Sequence, residues 1–374
     1  MSESDRRPLT RPDLAALPPY VPGRSPADLA RELGIPAAIK LASNEVPYGP
    51  LPGVPEAITA AMTEVNRYPD AAVIALRDEL AQRYEVTPDR IVTGCGSVGL
   101  LDLLCKSTCQ PGDEIVYSWR SFEAYPLVVL GAGARSVQVP NKLPATASAG
   151  GSTSAGHGHD LDAMLAAITS ATRLVLVCNP NNPTGTALHR AELTRFLDAV
   201  PDDVLVVLDE AYREFITDEE VPDGLVEFAD RPNVVVLRTM SKAWGLAGLR
   251  CGWLVASPEV ANTLRTVLTP FATNMLAQAA AIAALHAADE MRRRVDLVLA
   301  ERDRLLPQLR ALVPGTPASQ ANFFWLPVAD PIGFGKQCES HGVIVRPFPE
   351  GVRVTIGTPE ENDAFLAAAR GTTG

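Results

Sequence analysis

The sequence predicts an α/β protein: a large domain built on a mostly parallel sheet of seven strands, followed by a smaller α+β domain. Three observations carry this. From Ile91 onward, short apolar runs alternate with segments of helical spacing, and seven such runs occur before residue 257. Alternation of this kind implies parallel strands with helices on both faces. One run, 234–237, is wholly aliphatic, as a strand covered on both faces must be. Beyond Pro270 the pattern turns to helix and then to three further strands.

Taken in order, residues 1–34 are rich in proline and charge and include Leu17-Pro18-Pro19-Tyr20-Val21-Pro22-Gly23. Such a segment cannot sustain a long helix, so an arm lying over the rest is expected. The large domain is expected over 35–270. It opens with a short strand near Ile39 that runs into Ser43-Asn44-Glu45. Helical spacing follows at Val54, Ile58, Met62 and Val65, and again at Leu76, Leu80 and Tyr84, with a proline-fixed break at 66–70 between them. The seven strands are expected at 91–93, 114–117, 136–139, 174–178, 204–208, 234–237 and 253–256. Small polar residues crowd 141–159, which reads as a flexible surface insertion; its His157 and His159 are too few for a metal site. In 271–374, Met291, Val295, Val298, Leu299, Leu305, Leu306, Leu309 and Leu312 mark a long amphipathic helix, with strands at 323–326, 343–346 and 352–356.

The totals narrow the function. With 47% apolar and 21% charged residues the chain has an ordinary globular composition, and a formal charge of −11 leaves no basic stripe for nucleic acid or an anionic membrane. The six cysteines have no Cys-x-x-Cys spacing, which points to reduced thiols rather than zinc. No apolar stretch suits a secretory signal or a membrane span, so a cytoplasmic location is expected.

Three strands of the large domain finish in polar residues, and ligands bind at that edge of an open α/β sheet. The first runs into Asn179-Pro180-Asn181-Asn182-Pro183-Thr184-Gly185, the second into Asp209-Glu210-Ala211-Tyr212, the third into Ser241-Lys242. An amide, a carboxylate, a phenol and an amine are thereby gathered. A pyridine-aldehyde cofactor needs this set: Lys242 to bind the aldehyde and carry protons, Asp209 to keep the ring nitrogen protonated, Tyr212 and Asn182 to hold the ring oxygen. Taken singly, Lys242 also reads as a surface lysine and Asp209 as a helix cap. Thr93-Gly94-Cys95-Gly96-Ser97-Val98-Gly99 opens a helix after a strand and offers backbone N–H groups to a phosphate, with Ser241 and Arg250 supplying a hydroxyl and a guanidinium.

These motifs, in this order and spacing, resemble the class-II aminotransferases of fold type I, in particular the histidinol-phosphate aminotransferase family. Leu41-Ala42-Ser43-Asn44-Glu45, Asn66-Arg67-Tyr68-Pro69-Asp70 and Gly351-Val352-Arg353-Val354-Thr355-Ile356-Gly357 extend the match over almost the whole chain. The resemblance implies pyridoxal 5'-phosphate held as a Schiff base on Lys242, with Asp209 at the ring nitrogen and Tyr212 and Asn182 at the ring oxygen. It further implies phosphate contacts from Gly96, Ser97, Val98, Ser241 and Arg250, and a homodimer in which Tyr68 reaches the other subunit's cofactor. Arg353 would clamp the substrate's anionic end, and Tyr20 and Arg346 would help close the site. Phe122 stands where relatives carry a tyrosine stacked on the cofactor, a change that keeps the aromatic face and loses a hydroxyl.

Trp119-Arg120-Ser121-Phe122-Glu123-Ala124-Tyr125-Pro126, Cys95-Gly96-Ser97-Val98-Gly99 and the stretch from Ser319 to Pro327 are similar to the branch of this family that transaminates aromatic amino acids. The implied reaction pairs phenylalanine, tyrosine or tryptophan with 2-oxoglutarate. Transamination of histidinol phosphate is the alternative; a related lyase and a non-catalytic sensor of the same fold also remain open, although a sensor normally carries a DNA-binding domain for which the short N-terminus has no room.

Overall fold

The computed structural model describes residues 9–15, 24–142 and 158–371. A seven-stranded sheet forms its centre. The strands are β2 (Ile91–Cys95), β3 (Glu114–Trp119), β4 (Arg135–Pro140), β5 (Thr172–Cys178), β6 (Leu205–Asp209), β7 (Val234–Thr239) and β8 (Cys251–Val255), after a short β1 (Ile39–Lys40) that lies elsewhere. The spatial order is β2-β8-β7-β6-β5-β3-β4. β8 is antiparallel to both neighbours and the remaining pairs are parallel.

Burial on both faces explains the aliphatic runs. Along β5, Leu174 and Leu176 pack into the core on one side of the sheet while Val175 and Val177 pack into the other. β7 divides likewise, with Val235 and Leu237 on the first side and Val234 and Val236 on the second. Side chains of a strand alternate between faces, so a run that is apolar at every position requires helices on each. Gly96–Thr108 and Pro258–Val267 cover one face; Leu161–Ala166 and Arg190–Ala199 cover the other. The helix Arg190–Ala199 begins in a capping box between His189 and Glu192, which satisfies amides that the first turn leaves open.

The C-terminal part contains the long helix Ala288–Leu312, which continues through Pro307, and an antiparallel sheet of β9 (Phe323–Leu326), β11 (Arg346–Phe348) and β12 (Gly351–Thr355) in the order β11-β12-β9. Two expectations change here. The strand read over 343–346 is divided: β10 (Val343–Ile344) leaves the sheet and pairs in parallel with β1. Residues 39–40, read at the start of the large domain, are therefore tied to the C-terminal part. Backbone bonds extend the tie, since Leu41 N donates to Ile344 O and Thr355 N donates to Leu41 O.

The insertion reading is also corrected at one end. His159 is buried, and its Nε2 lies 2.7 Å from the Cys178 carbonyl at the end of β5. A carbonyl only accepts, so Nε2 carries the hydrogen; burial lowers the ring's pKa to about 4 and keeps it neutral. Residues 143–157, including His157, lie outside the described residues, as do Tyr20 and the proline-rich stretch 16–23. The described part of the arm rests on the body: Arg11 donates to the carbonyls of Leu130 and Gly131. Ser25 then caps the eight-residue helix Pro26–Leu33. No helix among the described residues is long and apolar enough to cross a membrane.

Candidate active site

One cavity opens at the carboxyl ends of β5, β6 and β7. Its lining includes Ser97, Val98, Phe122, Asn182, Asp209, Tyr212, Ser241, Lys242, Arg250, Arg346 and Arg353. Eleven residues singled out from six separated stretches of sequence thus face one space.

Asp209 ends β6 and is 2% exposed. No α-helix starts at it, so the capping reading does not apply. The strand's alternation sends Asp209 toward the cavity and Glu210 away, where Glu210 meets Arg238 (2.8 and 3.1 Å) in a buried ion pair. Tyr125 donates to Asp209 Oδ2 at 2.9 Å, while Oδ1 is buried with no partner. Burial raises the Asp209 pKa to about 6, against the opposing pull of Tyr125, the Ala211 backbone and Lys242. An unpaired buried carboxylate oxygen facing a cavity calls for a cationic or donor group there.

Lys242 sits one residue beyond the loop's buried Ser241, with Nζ 3.5 Å from the Ser43 carbonyl and 5.7 Å from the Tyr212 ring centroid. Burial first, and then the positive charge of Arg353 and Arg250, lower its pKa to about 8. A lysine held there is far from the solvated surface lysine that its local sequence also allowed, and its amine is available as a nucleophile near neutral pH. Tyr212 accepts a hydrogen bond from Asn44 Nδ2 at 2.9 Å, and burial pushes its phenol well above the usual range, so it stays protonated and able to donate.

The expected phosphate cradle is shaped by close backbone approach. Gly96 has φ +71° at the start of its helix, and a Cβ there would overlap the Arg250 guanidinium. Gly252 on β8 is equally constrained: its Cβ would stand 2.5 Å from Ser97 N and 2.6 Å from Gly96 C. Arg250, itself in the left-handed region at φ 59°, directs Nη1 to Ser241 Oγ (3.3 Å) and the Ala247 carbonyl (3.0 Å). The first-turn amides of Gly96–Thr108 lack helical acceptors and meet a guanidinium and a hydroxyl at one point, an arrangement suited to a phosphate.

Arg353 on β12 closes the opposite side. Its Nη1 donates to Asn182 Oδ1 and its Nη2 to the Ala42 carbonyl, both at 2.6 Å. Arg346 stands beside it and holds both oxygens of Glu123 at 3.0 Å. Tyr68 does not line the cavity; it is 80% exposed and stacks on Phe271 with ring centroids 4.4 Å apart.

Several cavity residues escaped the sequence reading as site members: Ser43, Asn44, Glu123, Cys178 and Thr239. Asn44 had a signal. Its motif was noted, and it occupies φ 53°, where asparagine is favoured among non-glycine residues. Thr355 fixes it from β12, donating to Asn44 Oδ1 (3.0 Å) and accepting from its backbone N (2.9 Å).

An unpaired carboxylate oxygen, a cradle that admits only glycine and a lysine with a lowered pKa fit an aldehyde-bearing pyridine phosphate, the cofactor of fold type I transferases. The chain belongs to the aminotransferase class I and II family, whose model matches residues 36–368. It is 53% identical over 365 residues to the aromatic amino acid aminotransferase of Streptomyces coelicolor, covering 97% of each chain, and 49% identical over 370 residues to that of Thermobifida fusca, covering 98% of each. Among solved structures it is similar to histidinol-phosphate aminotransferase from Sinorhizobium meliloti in complex with pyridoxal-5'-phosphate, with a TM-score of 0.84 and 27% identity over 99% of this chain and 100% of that one.

Proposed function

We propose that this protein is a pyridoxal-phosphate-dependent aminotransferase that moves the amino group of an aromatic amino acid to 2-oxoglutarate, releasing an aryl-2-oxo acid and glutamate. The observation that carries the chemistry is the meeting of Lys242, Asp209 and Tyr212 in one cavity between a phosphate cradle and Arg353. The choice of donor is supported by the near 50% identity, over nearly full length, to enzymes named for aromatic amino acids.

When bound, pyridoxal phosphate supplies a protonated ring that takes up the electron pair left at the substrate's α-carbon. The chain's own groups do the rest. Asp209, whose Oδ1 is buried without a partner, would hold the positive charge at the ring nitrogen. Tyr212 and Asn182 would hold the ring oxygen. Gly96, Ser97, Val98, Ser241 and Arg250 would hold the phosphate, and Phe122 would offer its aromatic face to the ring. Lys242 would hold the aldehyde and, as a neutral amine, would take the α-proton on Nζ. Arg353 receives the α-carboxylate with a planar fork already oriented by Asn182 and Ala42.

The same reading includes a homodimer, with the exposed Tyr68 reaching the partner's cofactor, and Tyr20 in the arm closing the site. It also divides the chain into an arm (1–34), a cofactor domain (35–270) and a smaller domain (271–374). Steady-state assay of phenylalanine with 2-oxoglutarate tests the reaction: phenylpyruvate and glutamate should form in equal amounts with parallel lines in double-reciprocal plots. Carbon dioxide release, or product without glutamate, would overturn it.

A further inference from the structure

Two arginines face the cavity from neighbouring strands, and they are differently engaged. Arg346 on β11 and Arg353 on β12 are direct partners in the antiparallel ladder, which sends their side chains to the same face of the sheet. Arg353 donates to two neutral acceptors, the Asn182 amide and the Ala42 carbonyl. Arg346 instead faces a carboxylate, with Nη2 3.0 Å from both oxygens of Glu123. Both members of that pair line the cavity.

We infer that Glu123 is a specificity-determining residue: a built-in counter-anion that neutralises Arg346 for substrates with an uncharged side chain and gives way to a second carboxylate. The inference rests on the reading that one site serves an aromatic donor and a dicarboxylate acceptor. Every substrate brings an α-carboxylate, so a constant cation suffices for it. Only one of the two substrates brings a second anion, and a bare guanidinium left for it would be desolvated under an apolar ring at a cost. With Glu123 in place the ring meets a neutral pair, flanked by Phe348, whose centroid is 5.7 Å from Arg346 Cζ. Glu123 is free to leave. Its side chain is 26% exposed, against 14% for Arg346, and it lies on the short connection between β3 and the helix Tyr125–Ala132. A distal carboxylate can take its place on Arg346 while Glu123 turns to water, so the net charge of the subsite is kept.

The test uses equilibrium binding of two unreactive ligands to the cofactor-loaded enzyme, glutarate and 3-phenylpropionate, followed by the cofactor's visible absorbance. Glu123→Gln should tighten glutarate about fivefold to tenfold, as expected for loss of a partly exposed competing ion pair, and weaken 3-phenylpropionate several-fold. Arg346→Gln should reverse the sign, losing glutarate and keeping the aromatic acid. Glu123→Asp, which retains the charge, should restore the wild-type preference and exposes any purely structural effect. An equal change for both ligands in Glu123→Gln, or no change for either, overturns the inference. If the wild-type enzyme proves to prefer histidinol phosphate, the donor reading fails. The role of Glu123 then still requires that Glu123→Gln tighten both histidinol phosphate and glutarate, and failure to do so contradicts it separately.

Discussion

The Tyr125 phenol donates to Oδ2 of Asp209 at 2.9 Å and leaves Oδ1 buried without a partner. Half of the carboxylate is thus fixed by the protein and half is left for a ligand. Asp209→Asn removes the charge and keeps the shape; it should lower the rate of the amino-acid half-reaction by roughly a thousandfold, since protonation of the ring nitrogen is lost. Tyr125→Phe removes only the orienting bond and should cost roughly tenfold, the value of one hydrogen bond to a charged group. Single-turnover kinetics would check both, and equal losses in the two variants would contradict the division of roles.

Gly252 holds no ligand, yet its substitution should weaken the cofactor. A Cβ at this position would stand 2.5 Å from Ser97 N and 2.6 Å from Gly96 C, backbone atoms that cannot move aside without displacing the cradle. Gly252→Ala is expected to weaken pyridoxal phosphate at least tenfold while leaving the secondary structure intact, because sub-ångström displacement of preorganised donors is costly. Equilibrium dialysis with circular dichroism separates this from unfolding; unchanged affinity would contradict it.

Lys242 gives a pH signature. Its folded-state pKa is lowered to about 8 from the ordinary lysine value of 10.5, so the amine loses its proton earlier than a solvated lysine does. Only the neutral amine attacks an aldehyde. The rate at which apoprotein takes up pyridoxal phosphate should therefore rise with pH and level off above about 8, where a solvated lysine would keep rising toward 10.5. Lys242→Ala should bind the cofactor noncovalently, releasing it on dialysis, and lose transamination by at least a thousandfold. Full activity in that variant would sink the mechanism.

Asn44 joins the two ends of the chain at the site: Thr355 fixes it, and it donates to Tyr212. Asn44→Ala removes that donor and the favoured left-handed residue together. It should reduce kcat by roughly tenfold and lower stability by about 1–2 kcal/mol. Thermal denaturation of cofactor-loaded protein beside a kcat measurement checks both, and loss of stability without loss of rate would make Asn44 purely structural.

What the sequence made legible follows from periodicity and from strand ends. Strands β5 to β7 announced themselves because burial on two faces leaves only aliphatic residues, and the polar groups that end them then stood out. Tyr125 could not be read as Asp209's partner, because 84 residues separate them and only the fold, in which the helix Tyr125–Ala132 packs beside Gly96–Thr108 and β4, brings them together. The end of the strand at 343–346 was equally hidden: β10 leaves for β1, a pairing of residues about 300 apart that no local pattern encodes. Small, polar neighbours make His159 look like part of a surface loop, while in the fold it is buried against the Cys178 carbonyl. Arg238, inside an otherwise apolar strand, ends in the buried cluster with Glu210 and Asp223, which strand patterning alone could not foresee.

The most direct test is a half-reaction. Cofactor-loaded protein is mixed with phenylalanine or with histidinol phosphate, without any oxo acid, and the loss of the visible absorbance of the bound aldehyde is followed. The account predicts faster conversion with phenylalanine and recovery of the original spectrum on adding 2-oxoglutarate. Faster conversion with histidinol phosphate would contradict the aromatic assignment, and no conversion with either would contradict transamination itself.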